Sequence, residues 1–334
     1  MYDGSRLRWK TGLLLSSACL SALGLTRAGG QDASDVSPLY KPGGLYATDP
    51  IVGNLRYVPP TGPKGFQQGS PASEPCREAQ EEDQFTHIVT RKIAFMETEI
   101  TRQMWADLRA VQPSLPVDPS YVGWGTEMNR PVNKITWYEA ALFANLLSIQ
   151  RGLTPCYYTD SKKGTLITSV NYKKNKYFCD FSASGYRLPS EGEWEYACRA
   201  GTKGPFWINE PQYTSNACYD YCYKYKFPTL QTAAWFECNG NGQTHPVGQK
   251  KPNPWKLKDM HGNVREWCWD NNLFYYPTGT QTNYTGPEGP RDRAIIRGGG
   301  SAVATHACRS ASRYSNKPTY RYSSIGFRLV RTIP

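Results

Sequence analysis

Three stretches of the chain carry apolar residues at helical spacing. In TWYEAALFANLLSIQRG, Thr136 and Glu139 are placed as a capping box, Trp137, Ala140, Ala141, Ala144 and Leu147 share one face, and Gly152 supplies the stop. LPSEGEWEYACRAG repeats that arrangement with Ser190 and Glu193, and turns Trp194, Ala197 and Cys198 inward. A third helix is expected after Thr101, through TRQMWADLRAV. NLRYVPP, beginning at Asn54, alternates as a strand does. Beyond Gly201, Gly, Pro and Asn interrupt the chain every few residues, which predicts short strands and long loops.

The ends of the chain change the picture. Residues 1–30 have a basic start (Arg6, Arg8, Lys10), the apolar run Leu13 to Leu25 and then small residues, the pattern of a signal peptide too short to span a bilayer. Cys19, after Ser16, Ser17 and Ala18, resembles the lipobox at which bacterial lipoproteins are cleaved and acylated; the alternative is cleavage after Ala28. The expected location is therefore outside the cytoplasm, as an outer-membrane or cell-surface lipoprotein held by a lipid anchor. Residues 31–49, rich in Gly, Pro, Ser and Asp, are expected to form a flexible tether. No later break in composition appears, so residues 50–334 are taken as one domain.

The 334 residues are 39% hydrophobic and 13% aromatic, enough for a sizeable core packed by rings. The formal net charge of +11 would suit a polyanion, but the basic residues are scattered, so a solvated basic exterior without nucleic-acid binding is expected. Export permits disulfides, and nine cysteines remain besides Cys19. Buried thiols or structural bridges are the expected roles, since CYDYC (Cys218 to Cys222) lacks zinc-site spacing.

Six ordered blocks carry a family resemblance: FMETEITRQMW, ITWYEAALFANLLS, GYRLPSEGEWEYACRAG, DMHGNVREWCWD, RGGGS and IGFRLVR. Together they resemble the formylglycine-generating-enzyme, or sulfatase-modifying-factor, branch of the C-type lectin fold. The resemblance implies an α+β domain with few helices around small antiparallel sheets and much loop. In oxidase members, a redox-active cysteine pair follows the GGS turn and works with copper. Here that segment is SAVATHA, Ser301 to Ala307, without cysteine, and one nearby thiol, Cys308, cannot serve as a pair. The related iron-dependent sulfoxide synthases need three histidines, whereas His87, His245, His261 and His306 are each isolated. No catalytic residue and no catalytic cofactor are expected.

The C-terminal pattern C-R-x-A-x-R, then Pro, Arg and IGFR, resembles the variable proteins of diversity-generating retroelements, of the spirochaetal surface-lipoprotein type. In that family, mutagenesis at adenines rewrites a C-terminal region, here about 271–328, while the scaffold stays invariant. The resemblance implies ligand-binding positions at Asn271, Asn272, Leu273, Phe274, Ala302, Val303, Thr305, His306, Ser312, Tyr314, Ser315, Asn316, Tyr320, Tyr322, Ser323 and Ser324. Between them Cys308, Arg309, Ala311, Arg313, Pro318, Arg321, Gly326 and Phe327 would act as fixed posts, through burial and guanidinium bonds to carbonyls. The infill would lie on the surface and bind a protein or glycan ligand. The alternatives are a periplasmic oxidase of the formylglycine-generating type that modifies sulfatases, or a purely structural envelope protein. The family also places a structural calcium on the DMHGNVREW turn, which implies ligands at Asp259, Glu266 and the carbonyls of Gly262 and Val264; a turn closed by hydrogen bonds is the alternative.

Overall fold

The structure is a computed structural model that describes residues 40–170, 177–220, 222–272, 274–287 and 289–334. The expected signal peptide, Cys19, residues 31–39 and Leu273 lie outside the described residues.

In chain order the strands are β1 (Leu45–Asp49), β2 (Gly53–Val58), β3 (Phe66–Gln68), β4 (Phe85–Ile88), β5 (Lys92–Met96), β6 (Tyr157–Tyr158), β7 (Phe178–Cys179) and β8 (Tyr186–Arg187). They continue as β9 (Arg265–Asn271), β10 (Thr280–Thr282), β11 (Ala294–Arg297), β12 (Tyr314–Asn316), β13 (Ile325–Gly326) and β14 (Val330–Ile333). The α-helices are α1 (Arg102–Val111), α2 (Trp137–Gln150), α3 (Glu191–Arg199) and the short α4 (Glu237–Gly240). One sheet runs β1-β2-β5-β14-β8, a second β12-β11-β9-β13, and two smaller ones β10-β4-β3 and β6-β7. Most pairings are antiparallel, as expected, but β10 with β4 and β13 with β9 are parallel.

The three expected helices form where their caps stand. Thr101, Thr136 and Ser190 each accept from the backbone N–H three residues on, and Glu139 and Glu193 reach back to complete their boxes. α2 departs from the one-faced expectation: Trp137 through Ser148 are all buried, because α1, β6 and β8 enclose it. Its polar residues are satisfied there, with Asn145 donating to the carbonyls of Tyr157 and Ile167. Among the described residues no helix is long and apolar enough to cross a membrane.

The tether boundary is corrected. Residues 40–49 belong to the body: β1 pairs with β2, Tyr40 packs edge-on against Tyr57, and Gly43 passes so close to the Trp255 backbone that a Cβ there would sit 2.5 Å from its Cα. Gly43 has φ +74°, which glycine adopts without strain. The Gly and Pro content that suggested a linker therefore serves a tight turn.

Candidate ligand-binding surface

The β12-β11-β9-β13 sheet brings the two halves of the expected variable region together. Asn271 on β9 and Asn316 on β12 both stand opposite Ala294 of β11, and Tyr314 stands opposite Ile296. Beyond the strand end, Asn272 and Phe274 line one shallow depression with Tyr314 and Ser315. Phe274, Tyr314, Tyr320 and Tyr322 are 62%, 47%, 42% and 50% exposed, and the last two stack with ring centroids 5.7 Å apart. Ala302 is also exposed, while Ser312, Ser315, Asn316 and Ser323 are half-buried.

Beneath this face lie the posts. Arg309 is buried and bonds Glu82 through both terminal nitrogens at 2.8 and 2.7 Å, and Glu74 at 2.7 Å. Arg313 grips Glu191 at 2.7 and 3.0 Å and donates to the carbonyls of Glu81 and Phe274. Arg321 binds Glu139 at 2.6 Å and the Lys134 carbonyl, but it is exposed, so this post is held by its bonds and not by the expected burial. The posts thus use carboxylates as well as the expected carbonyls, each supplied from a distant part of the chain. Burial would raise the Glu82 pKa, but the Arg309 bond and charge outweigh it and hold the carboxyl below its usual range. At Glu74 burial wins over the same guanidinium, and the pKa is raised. Cys308, Ala311, Pro318, Gly326 and Phe327 are buried as expected.

Two infill positions are corrected. Thr305 and Ser324 are buried, the first with its hydroxyl unpartnered, the second with its carbonyl accepting from the Arg265 N–H. Thr305 begins a one-turn helix and is fully enclosed, so it does not belong to an exposed infill. Val303 is half-buried against the Phe206–Phe236 cluster. His306 is half-buried as well, bonded to the Cys218 carbonyl at 2.7 Å, and desolvation lowers its pKa.

Disulfides Cys76–Cys218 and Cys222–Cys238 clamp the loop that carries Tyr219 beside this face, with the Tyr219 ring centroid 4.6 Å from that of His306. No residue pattern announced this neighbour, since the bridge spans 142 residues. Cys156, Cys179, Cys198, Cys268 and Cys308 are free and buried. Burial pushes the Cys308 thiol up to about 12, against the pull of the Gly300 N–H and Arg265. His87 and His261 sit in the core with pKa values lowered by desolvation to about 4.

Of the two carboxylates among the four expected calcium ligands, Glu266 is fully engaged and Asp259 is engaged through one oxygen. Glu266 gives both carboxylate oxygens to Arg328 at 2.7 to 2.9 Å and one also to the Trp194 ring N–H at 2.8 Å. Asp259 accepts from the Gly248 N–H at 2.6 Å. Among the described residues no group of three or more His, Cys, Asp or Glu could hold a metal. In the turn, the Gly262 and Asn263 N–H groups donate to the carbonyls of Gly298 and Trp235, and Asp259 Oδ1 and the nearby Glu99 carboxyl are buried without partners among the described residues. Burial raises both carboxyl pKa values, helped at Glu99 by the charges of Asp259 and Glu266 and at Asp259 by that of Glu266.

A profile of the sulfatase-modifying factor enzyme 1-like domain matches residues 68–333. The chain is similar to the chaperone protein LppX of Paenibacillus barcinonensis, 34% identical over 52% of this chain and 60% of that protein. It is also similar to the formylglycine-generating enzyme of Mus musculus, 31% identical over 48% of this chain and 43% of that one. The chain thus spans only about half the length of these relatives. Among solved structures, Treponema denticola variable protein 1 superposes with a TM-score of 0.67 at 27% identity, covering 84% of this chain and 95% of that one. PvdO of Pseudomonas aeruginosa, at 21% identity and the same TM-score, shares the fold, covering 88% of this chain and 99% of that one.

Proposed function

The chain belongs to the sulfatase-modifying factor enzyme 1-like family, and within that family we propose that it is a ligand-binding protein rather than an oxidase. Its binding site is the face around Phe274, Tyr314, Tyr320 and Tyr322, rewritten by a retroelement on an invariant C-type lectin scaffold and displayed at the cell surface by a lipid on Cys19. A protein or glycan is the ligand. The observation that carries this reading is the separation of roles at one surface: exposed aromatic and half-buried small polar side chains above, and buried arginines in ion pairs with carboxylates below. Tyrosine gives large contact area at low entropic cost, and Ser and Asn adapt their hydrogen bonds. The likeness to the Treponema denticola variable protein supports the same reading.

Likeness to formylglycine-generating enzymes favours oxidation of a substrate cysteine as the other reading. Against it stand the cysteine-free segment Ser301 to Ala307 and the buried Cys308 thiol. The deciding experiment has two arms. Purified chain is screened on arrayed host proteins and glycans beside a Tyr314→Ser, Tyr320→Ser, Tyr322→Ser variant, and is incubated with copper and a sulfatase-derived cysteine peptide. Binding lost in the triple variant, with the peptide unmodified, is expected; conversion of the peptide cysteine to an aldehyde would establish the oxidase instead.

A further inference from the structure

A cavity of about 330 Å³ opens beneath Tyr314, and four arginines line it: Arg265, Arg297, Arg309 and Arg313. Three are neutralised. Arg297 meets Glu195 at 2.5 Å, Arg309 meets Glu74 and Glu82, and Arg313 meets Glu191. Arg265 forms no ion pair and no side-chain hydrogen bond among the described residues. Its guanidinium lies 4.5 Å from the centroid of the Tyr314 ring. The groups acting on it are the phenols of Tyr314 and Tyr322 and the Cys308 thiol, none of them a carboxylate, and desolvation lowers its pKa. Arg265 is half-buried, so water reaches its guanidinium, and an anion entering the cavity would meet that charge free of any carboxylate partner. Glu78 and Glu81 line the same cavity, yet neither stands within ion-pair distance of Arg265. Glu78 acts on His306, and the Glu81 carbonyl serves Arg313.

We infer that Arg265 is the anion-recognising residue of this surface, and that the cavity takes a single carboxylate, the Asp or Glu side chain of a protein ligand. This rests on the binding-surface reading above and adds a chemical class to it. The planar guanidinium fork matches a carboxylate with two parallel N–H bonds. One unpaired guanidinium supplies one positive charge, and the lining Glu78 and Glu81 repel any anion, a dianion such as phosphate about twice as strongly as a single carboxylate. Tyr314 lines both this cavity and the depression that holds Phe274, and Tyr320 and Tyr322 are exposed as well, which suits a protein epitope with aromatic anchors around one charged contact. His306 and Ser312, both expected to vary, also line the cavity, whereas Arg265 precedes the variable region. The carboxylate requirement would therefore stay constant while the rim changes.

The test follows the Arg265 side-chain Nε–H resonance of the purified chain by NMR, during titration with N-acetyl-glutamate amide, N-acetyl-glutamine amide, N-acetylneuraminate and inorganic phosphate. A saturable shift with the glutamate amide is expected, at least tenfold weaker for the glutamine amide. Arg265→Gln should abolish the response of the neighbouring Tyr314 ring signals, and Arg265→Lys, which keeps the charge but not the fork, should retain a weaker one. Equal response to the glutamate and glutamine amides, or a response that survives Arg265→Gln, overturns the inference. Tighter saturation by phosphate overturns the carboxylate, and tighter saturation by N-acetylneuraminate overturns the protein source. If an arrayed ligand binds in a tyrosine-dependent way and Arg265 ignores the glutamate amide, this inference alone falls; if no tyrosine-dependent ligand exists either, the binding-surface reading falls with it.

Discussion

At the scale of single residues, the surface tyrosines and the buried arginines differ in what their removal leaves behind. Truncating Tyr314, Tyr320 or Tyr322 exposes little that water was not already touching, so the three Tyr→Ser changes together should cost roughly 0.5 kcal/mol per site or less. Arg309→Ala is different in kind. It strands Glu82 and Glu74 in a dry site, and breaking a buried pair from one side costs about 3–5 kcal/mol. Urea unfolding of the two variants should separate them by several kcal/mol. If the tyrosine variant unfolds as readily as Arg309→Ala, those rings belong to the core and the face is not free to vary. The sequence pattern of posts marked Arg309 as fixed, but not why. Its partners lie 227 and 235 residues away, and no local pattern encodes a contact at that distance.

At the scale of elements, legibility followed how local the determinants are. The caps of α1, α2 and α3 lie within four residues of the helices they start, and all three could be read in advance. β1 could not, because its Gly-rich approach has linker composition, and the seat of Gly43 against the Trp255 backbone joins parts of the chain far apart in sequence. Thr305 was misplaced for a related reason: its small polar side chain suits a surface, and only the packing of the fold shows that it is enclosed. The turn leading into β9 illustrates a third case. Its oxygen-rich residues suit a hard cation, and the bonds that Arg328, which follows β13, makes to Glu266 could not be read from that pattern. Glu266→Ala should therefore destabilise the protein by about 3–5 kcal/mol, since Arg328 is left buried and unpaired. The loss should be the same in calcium as in chelator. A midpoint that falls further in calcium than in chelator would mean that the ion does bind there, because a ligand of the folded state adds stability only when present.

At the scale of the whole molecule, buried carboxyls divide into two populations that bend the pH dependence of stability in opposite directions. Burial works against Glu193 and Glu191, but Arg187 and Arg91 for the first, and Arg313 and Arg297 for the second, hold both below the usual carboxylate range. Their contribution is present at neutral pH and is lost as acid protonates them. Asp270 belongs to the other population. Burial first, and the charge of Glu191 second, push its pKa up to about 8, while one oxygen accepts from the Glu191 N–H and the other has no partner. In the unfolded chain an aspartate releases its proton near pH 3.9. Between about pH 4 and pH 8 the folded protein thus holds a proton here that the unfolded chain does not, so stability from this site falls as pH rises, by on the order of 1 kcal/mol per pH unit. Glu99 and Asp259 slope the same way, which hides Asp270 in any single profile. The difference between wild type and Asp270→Asn isolates it, since asparagine keeps the acceptor for the Glu191 N–H and cannot ionise. Urea unfolding of both proteins at pH 5, 6.5 and 8 should show the variant gaining on wild type at each step upward. Parallel profiles would mean that Asp270 is charged throughout, and that the Arg291 guanidinium beside it offsets both burial and Glu191.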